Sequence, residues 1–417
     1  MKTAIYWFRN DLRLGDNPAF HQACQEVDCL LPVYIHSSNV EAETVWGFPR
    51  ASQNRKVFLE ESLHDLRNQL RSLGSDLLVL HGNPSEVLDK LRIQTDASII
   101  YCEQIEAPEE LAQVTALTES GFEMTTVWQS SMLDPQALPF SLQEMPDVFT
   151  QFRLQVEKQK LRFATPLDLL ENIPPLPAIE ISSIPLGNGK AESRSSQFQG
   201  GERYAQAHIQ QYFERRLPDT YKQTRNQLIG MDYSSKFSLL LASGCCSART
   251  IAKQLSEYEF LYGANDGTYW LWFELLWRDY FRFLHFKYGK RLYYSKGLSQ
   301  SPSNLFDSKQ FLQWSSGNTG ELLIDAGMRE LQKTGYLSNR MRQVVASYWI
   351  YDMKGDWQAG AAWFESQLID YDVYSNQGNW LYIAGKGTDP RGGRPFNVNK
   401  QTQDHDPKGI YRQMWLA

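Results

Sequence analysis

No apolar stretch of this chain reaches bilayer-spanning length without a charge, which excludes a membrane-spanning helix at the outset. Arg9 and Asp11 arrive too early for the apolar core of a secretory signal. Only five cysteines occur in 417 residues (Cys24, Cys29, Cys102, Cys245 and Cys246). They show no metal-ligand spacing, and an odd number suits a reducing compartment better than a disulfide framework. No metal centre is expected. The G-x-G-x-x-G fingerprint is missing after the first apolar run, so a Rossmann dinucleotide site is not indicated. A net charge of −6 gives little general attraction for nucleic acid. What remains is a soluble, cytoplasmic protein, expected to be monomeric.

Aromatic residues are abundant, at 13% with 12 Trp, and nine of those Trp lie at or beyond Trp270. Charge is also uneven. Residues 1–195 hold 16 Lys/Arg against 27 Asp/Glu, while residues 196–417 hold 26 against 21. An acidic half joined to a mildly basic one leaves room for a polyanion on the second. The length exceeds what one core usually organises, so two domains are expected.

Residues 1–128 alternate apolar, β-rich runs (Ala4–Phe8, Leu30–Ile35, Leu77–His81, Ser98–Tyr101, Met124–Trp128) with helical patterns, the longest from Ser52 to Leu73. That alternation predicts an α/β domain built on a five-stranded, doubly wound parallel sheet. From 129 to 197 the pattern dissolves into Pro, Gly and Ser, which reads as an interdomain connector. From 198 to 417 helical periodicity dominates, in segments such as Ala205–Arg216, Ser247–Tyr258, Trp270–Tyr288, Leu322–Lys333, Asn339–Asp352 and Trp357–Leu368. A larger all-α domain is expected there.

Four segments of that helical half place polar groups among rings. Ile369 to Tyr382 carries Asp370, Asp372 and Asn376 in a stretch that otherwise reads as packed core. Burying such groups is costly unless something inside satisfies them, and a flat, polar-edged cofactor such as a flavin would do so. On a helix, Trp270, Glu274 and Trp277 or Arg278 share one face. The plainer alternative is a core helix with a Glu274–Arg278 pair. Asp232 to Ser238 offers consecutive hydroxyls to a phosphate, or simply an N-cap. Gly335 to Gln343 puts Asn339 and Arg342 on one face, with Arg342 a partner for a buried Asp such as Asp370, or else a solvated surface arginine. Together the four favour one ligand pocket.

The motifs Tyr-Lys-x-Thr-Arg-Asn from Tyr221, Tyr-Ser-Ser-Lys-Phe-Ser from Tyr233, Gly-Ala-Asn-Asp-x-Thr-Tyr-Trp from Gly263 and Glu-Leu-Leu-Trp-Arg-Asp-Tyr-Phe from Glu274 resemble cryptochrome DASH. This is the single-strand-repairing branch of the photolyase/cryptochrome superfamily. Trp7 to Leu14 resembles the family opening, and only the connector matches poorly. The resemblance implies a U-folded, non-covalent FAD. Tyr221 and Ser234, Ser235, Lys236, Phe237 and Ser238 would hold its phosphate and ribitol side. Arg278, Asn339, Arg342, Asp370, Asp372 and Asn376 would line the isoalloxazine, with Arg342 and Asp370 as an ion pair and Asn376 facing N5. It implies repair of cyclobutane pyrimidine dimers by an electron from excited reduced FAD, with Glu274 stabilising the dimer radical anion. Trp277, Asn339, Gln343 and Tyr382 would hold the bases. Tyr382 and Gln343 stand where duplex-repairing enzymes usually carry Trp and Met, and weaker stacking fits single-stranded DNA as the preferred partner. An antenna, usually 5,10-methenyltetrahydrofolate, is expected at the domain interface, with Glu106 and Glu109 as candidate ligands beside the alternative of a solvated helix start.

Photoreduction in this family usually runs through three Trp. Trp380 and Trp357 match the first two, but the third position is Asn304, and no Trp lies between Trp277 and Trp314. A shortened or rerouted chain is expected, through a Tyr in Tyr288–Tyr294 or through Trp363. Leu239-Leu240 and Glu321-Leu322 also depart from the family pattern. The runner-up reading is a blue-light photoreceptor that binds FAD and nucleic acid but regulates rather than repairs; the short end after Trp415 speaks mildly against it. A helical protein with no cofactor would need all four polar–aromatic segments to be coincidental.

Overall fold

The structure, a computed structural model, describes residues 1–180, 182–186 and 198–417. Residues 187–197 of the expected connector, with its Gly187, Gly189 and serine cluster, lie outside the described residues. Strands β1 (Thr3–Phe8), β2 (Cys29–Ser37), β3 (Leu78–Gly82), β4 (Ile99–Glu103) and β5 (Glu123–Val127) form one sheet in the order β3-β2-β1-β4-β5. Every pairing is parallel, for example Ile5 with Leu31 and Ile5 with Ile100. Ala4 to Phe8 is buried throughout, as a central strand covered on both faces requires. The order reverses between β1 and β4, the place where open α/β sheets form a crevice at their carboxyl ends.

The 129–197 segment contains a helix that its composition does not announce, Phe149–Lys158. Phe149, Phe152 and Val156 bury one face, and the Phe149 ring stacks on Trp277 with centroids 3.6 Å apart. Just upstream, the Asp279 carboxylate accepts the amides of Met132 (2.9 Å) and Leu133 (2.8 Å). The connector is thus fastened to the long helix Asp266–Tyr288, which starts with an Asn265 capping box.

The halves meet closely. Gly244 has φ +71°, and a Cβ there would lie 2.0 Å from the Asn10 carbonyl, so only glycine fits. Arg249 pairs with Asp16 at 2.9 Å, both nearly buried. Glu202 accepts the amides of Leu14 and Gly15 at 2.8 and 2.9 Å. One predicted helix differs in kind. Asn339–Asp352 is α-helical only to Ser347 and continues as a π turn, Tyr348–Asp352, closed by Met353 N–H donating to Tyr348 O at 3.0 Å. No helix among the described residues is long and apolar enough to cross a membrane.

Candidate functional site

A cavity of about 450 Å³ opens in the helical half, within the usual range of roughly 300–1,000 Å³ for ligand sites. Its walls unite all four polar–aromatic segments. Tyr221, Ser234 to Ser238, Glu274, Trp277, Arg278, Asn339, Arg342, Gln343, Asp370, Asp372, Asn376, Trp380 and Tyr382 all line it. Trp357 does not; it is buried behind, with its indole N–H donating to Ser295 O at 2.9 Å.

The Asp266–Tyr288 helix supplies one wall because Glu274, Trp277, Arg278 and Phe281 recur at helical spacing. Glu274 does not pair with Arg278, the alternative its i,i+4 spacing offered. It pairs with Arg225, whose guanidinium also lies 4.8 Å from the Trp270 ring centroid. Burial pushes the Glu274 carboxyl above the ordinary carboxylate range, against the pull of Arg225. Arg278 turns to the backbone instead, donating to Ser130 O and to Leu241 O. Burial and the neighbouring Arg282 bring it down to about 10.

Asp372 caps the helix Val373–Ala384, accepting Ser375 N–H at 2.7 Å. Its other partner is Arg282 from the long helix. Burial pushes this carboxyl up, but Arg282 and Arg278 outweigh that and hold it at about 2. Asp370 pairs with Arg342 at 2.8 Å, and Arg342 also donates to Leu337 O at 2.9 Å. This is the pair expected from the sequence. Asn376 Nδ2 donates to Ala361 O at 3.0 Å, which commits one N–H of the amide and fixes its orientation. At the opposite side, Lys236 is buried at φ +58°, with Nζ 3.4 Å from the Tyr233 ring centroid. Burial brings its ammonium down to about 7.

Around the bases' expected position, Trp277 meets Tyr382 edge-on at 5.5 Å. The Tyr382 hydroxyl accepts from Arg394 at 2.8 Å, and Arg394 is held by Asp389. Gln343 accepts from Arg340 at 3.1 Å. Arg225, Arg282, Tyr336, Asn379 and Arg394 were not singled out from the sequence. A partly buried Glu274 and Asp372 do call for cations, but the partners lie 49 and 90 residues away, where spacing gives no guidance.

The residues fit a polar ligand. Asp370 Oδ1, in the cavity wall, is buried with no hydrogen-bond partner among the described residues, an arrangement native interiors rarely tolerate without something to satisfy it. Glu106 and Glu109 lie elsewhere. Glu109 is held bidentately by Arg50 at 3.0 Å, Glu106 accepts from Gln104 at 2.6 Å, and neither lines this cavity or a second one of similar size. The second of these, about 390 Å³, sits at the carboxyl ends of β1, β2 and β3, between Arg9, His36, Lys56 and His81 on one side and Ile369 and Tyr371 on the other.

Residues 4–178 match the DNA photolyase family model, and residues 270–417 match the FAD binding domain of DNA photolyase. A cryptochrome DASH of Gloeobacter violaceus is 43% identical across 100% of this chain and 85% of its own length. The crystal structure of a Synechocystis cryptochrome superposes with a TM-score of 0.94 at 41% identity, over 100% of this chain and 89% of that one. An archaeal photolyase from Sulfolobus tokodaii, solved with two FAD molecules, gives a TM-score of 0.79 at 26% identity, over 99% and 90% of the two chains.

Proposed function

We propose, from the premise that this chain belongs to the cryptochrome DASH branch of the photolyase/cryptochrome family, that it is a light-driven lyase for cyclobutane pyrimidine dimers, acting preferentially in single-stranded DNA. The observation that carries this reading is Glu274, a carboxyl among rings in the same cavity wall as Asp370, Asp372 and Asn376. When bound and excited in its reduced form, the flavin supplies the electron that splits the dimer and recovers it afterwards.

The residues divide the remaining work. Ser234, Ser235, Lys236 and Ser238 would hold the phosphates, with Tyr221 and Phe237 beside them. Arg278, Asp372 and the Arg342–Asp370 pair would fix charge around the flavin, and the Asn376 amide would meet it without adding charge. Glu274 hydrogen-bonds a flipped-out dimer while Arg225 orients it. Trp277 and Tyr382 make the apolar slot, and Asn339 and Gln343 offer hydrogen bonds to base edges. Arg225 and Arg394 in the wall, with Arg340 behind Gln343, give this side of the cavity its positive charge. Tyr382 spends its hydroxyl on Arg394, so its ring is tethered rather than free to stack, which suits bases already unstacked.

The test is repair of dimer-containing oligonucleotides, single- and double-stranded, by the yellow holoprotein and by Glu274→Ala. Repair of single strands that drops in the variant while the colour persists supports the reading. Yellow protein that repairs neither substrate leaves a light receptor instead. Wild-type repair by Glu274→Ala removes the role given to that carboxyl. For the antenna, methenyltetrahydrofolate in the 390 Å³ cavity is the corresponding reading, since Arg9 and Lys56 suit its carboxylates and Glu106 and Glu109 are engaged elsewhere. A near-ultraviolet band lost in Lys56→Glu is the expected outcome.

A further inference from the structure

In place of the usual third tryptophan this chain has Asn304, and its rings offer another path. Trp380, in the cavity wall, meets Trp314 edge-on at 6.3 Å. Trp314 stacks on Trp349 at 5.2 Å with planes 27° apart. A Cβ on Gly360 would stand 2.3 Å from Trp380 and 3.0 Å from Trp349, so both indoles press on one glycine. Each of the two further indole N–H groups donates to a carbonyl, Trp314 to Val345 O at 3.0 Å and Trp349 to Asp356 O at 2.7 Å. Those dipoles stabilise positive charge on the ring.

The outer end is equally specific. Trp349 belongs to the π turn Tyr348–Asp352, whose extra residue changes which side chains face the core. Its ring is covered by the backbone of Gly355, where a Cβ would lie 2.0 Å from the indole. Next to that glycine is Lys354, exposed at φ +56°. Asn304 itself holds this cover in place, donating to Gly355 O at 3.2 Å and Ile350 O at 3.1 Å. Trp363 is reached only through Phe311, 5.6 Å from Trp349 and 5.9 Å from Trp363, and a phenyl ring is much harder to oxidise than an indole.

We infer that Trp380, Trp314 and Trp349 form the electron path from solvent to the cavity, leaving by the Lys354–Gly355 cover. The inference rests on the flavin reading above. One electron leaves Trp380 for the photo-excited oxidised flavin; Trp314 refills Trp380, and Trp349 refills Trp314. A thiol reductant at the surface then gives one electron to Trp349, its sulfur losing that electron and its proton to water. Tunnelling falls steeply with separation, which favours rings in contact.

The experiment follows the tryptophanyl radical by transient absorption after a flash on the oxidised holoprotein. Trp314→Phe and Trp349→Phe are each expected to shorten the radical lifetime by about tenfold or more, because the separated charge recombines from an inner ring. Lys354→Glu, a surface change that leaves packing intact, is expected to slow radical reduction by an anionic thiol by about threefold and to leave a neutral thiol unaffected. Wild-type lifetimes in both Phe variants overturn the inference. So does an unchanged anionic-thiol rate in Lys354→Glu, which decides the matter if either Trp variant fails to fold. Failure of the flavin reading itself shows separately, as colourless wild-type protein.

Discussion

Lys236 stands in the left-handed backbone region, where few non-glycine residues are stable, yet its ammonium is buried among Tyr233, Tyr336 and Arg342 and sits at about 7. A cation placed there is repaid by an anion arriving beside it, which suits a phosphate. The sign of the pH dependence follows. Below about pH 7 the empty site already carries the charge; above it, binding an anionic cofactor requires taking up a proton. Reconstitution of apoprotein with FAD should therefore weaken as pH rises, by roughly tenfold per unit at most, and Lys236→Arg should flatten the profile. Equilibrium titration of apoprotein between about pH 6 and 9 reads this directly. At the opposite wall, Arg225→Ala leaves Glu274 without its cation. Because Glu274 is about one-third exposed (31%), solvent screens part of the loss. The expected outcome is roughly tenfold lower repair of single-stranded substrate, about 1.4 kcal/mol, with FAD content unchanged.

The helix Phe149–Lys158 shows what an element can hide. Its N-cap residue, Val148, makes no side-chain cap bond, and its apolar stripe is only Phe149, Phe152 and Val156, so proline-rich surroundings dominate the pattern. By contrast Gln53–Ser72 is legible because Ser52 caps it and a long apolar stripe follows, and Asp266–Tyr288 is legible from its stripe, although the reading from Trp270 misses the first turn and its Asn265 cap. The π turn at Tyr348 was unreadable for another reason: it is a change of hydrogen-bond register, not of composition. The site divides likewise. The Arg342–Asp370 pair could be guessed from charges in two neighbouring motifs. Glu274–Arg225 and Asp372–Arg282 could not, since chain folding rather than spacing brings them together. Phe149 also has a test. Its ring is nearly buried (4% exposed) and supports Trp277 from behind. Phe149→Ala should cost about 3–5 kcal/mol in denaturant unfolding and, through a loosened Trp277, lower repair even where the protein remains folded.

For the whole molecule, the charge balance makes the helical half the better receiver of a polyanion. The sheet-bearing half is net acidic, while Arg225 and Arg394 line the cavity and Arg340 donates to Gln343 in its wall. Arg394 already pairs with Asp389. Arg340 lies near Arg225, and burial together with that neighbour lowers its pKa, so an incoming phosphate relieves repulsion as well as adding attraction. Single-stranded DNA that contacts about three phosphates should give a log K versus log salt slope of roughly −2, and Arg340→Ala should reduce it by about 0.7. A slope much steeper than this would require a broad basic surface, which the acidic half does not provide. The same distribution bears on duplexes. Flanking double-stranded DNA doubles the negative charge near the acidic half without adding cations, so higher salt should narrow the gap between duplex and single-strand binding while weakening both. Fluorescence anisotropy on matched oligonucleotides across a salt series separates this screening from the stacking cost of flipping a dimer, because only the electrostatic part changes with salt.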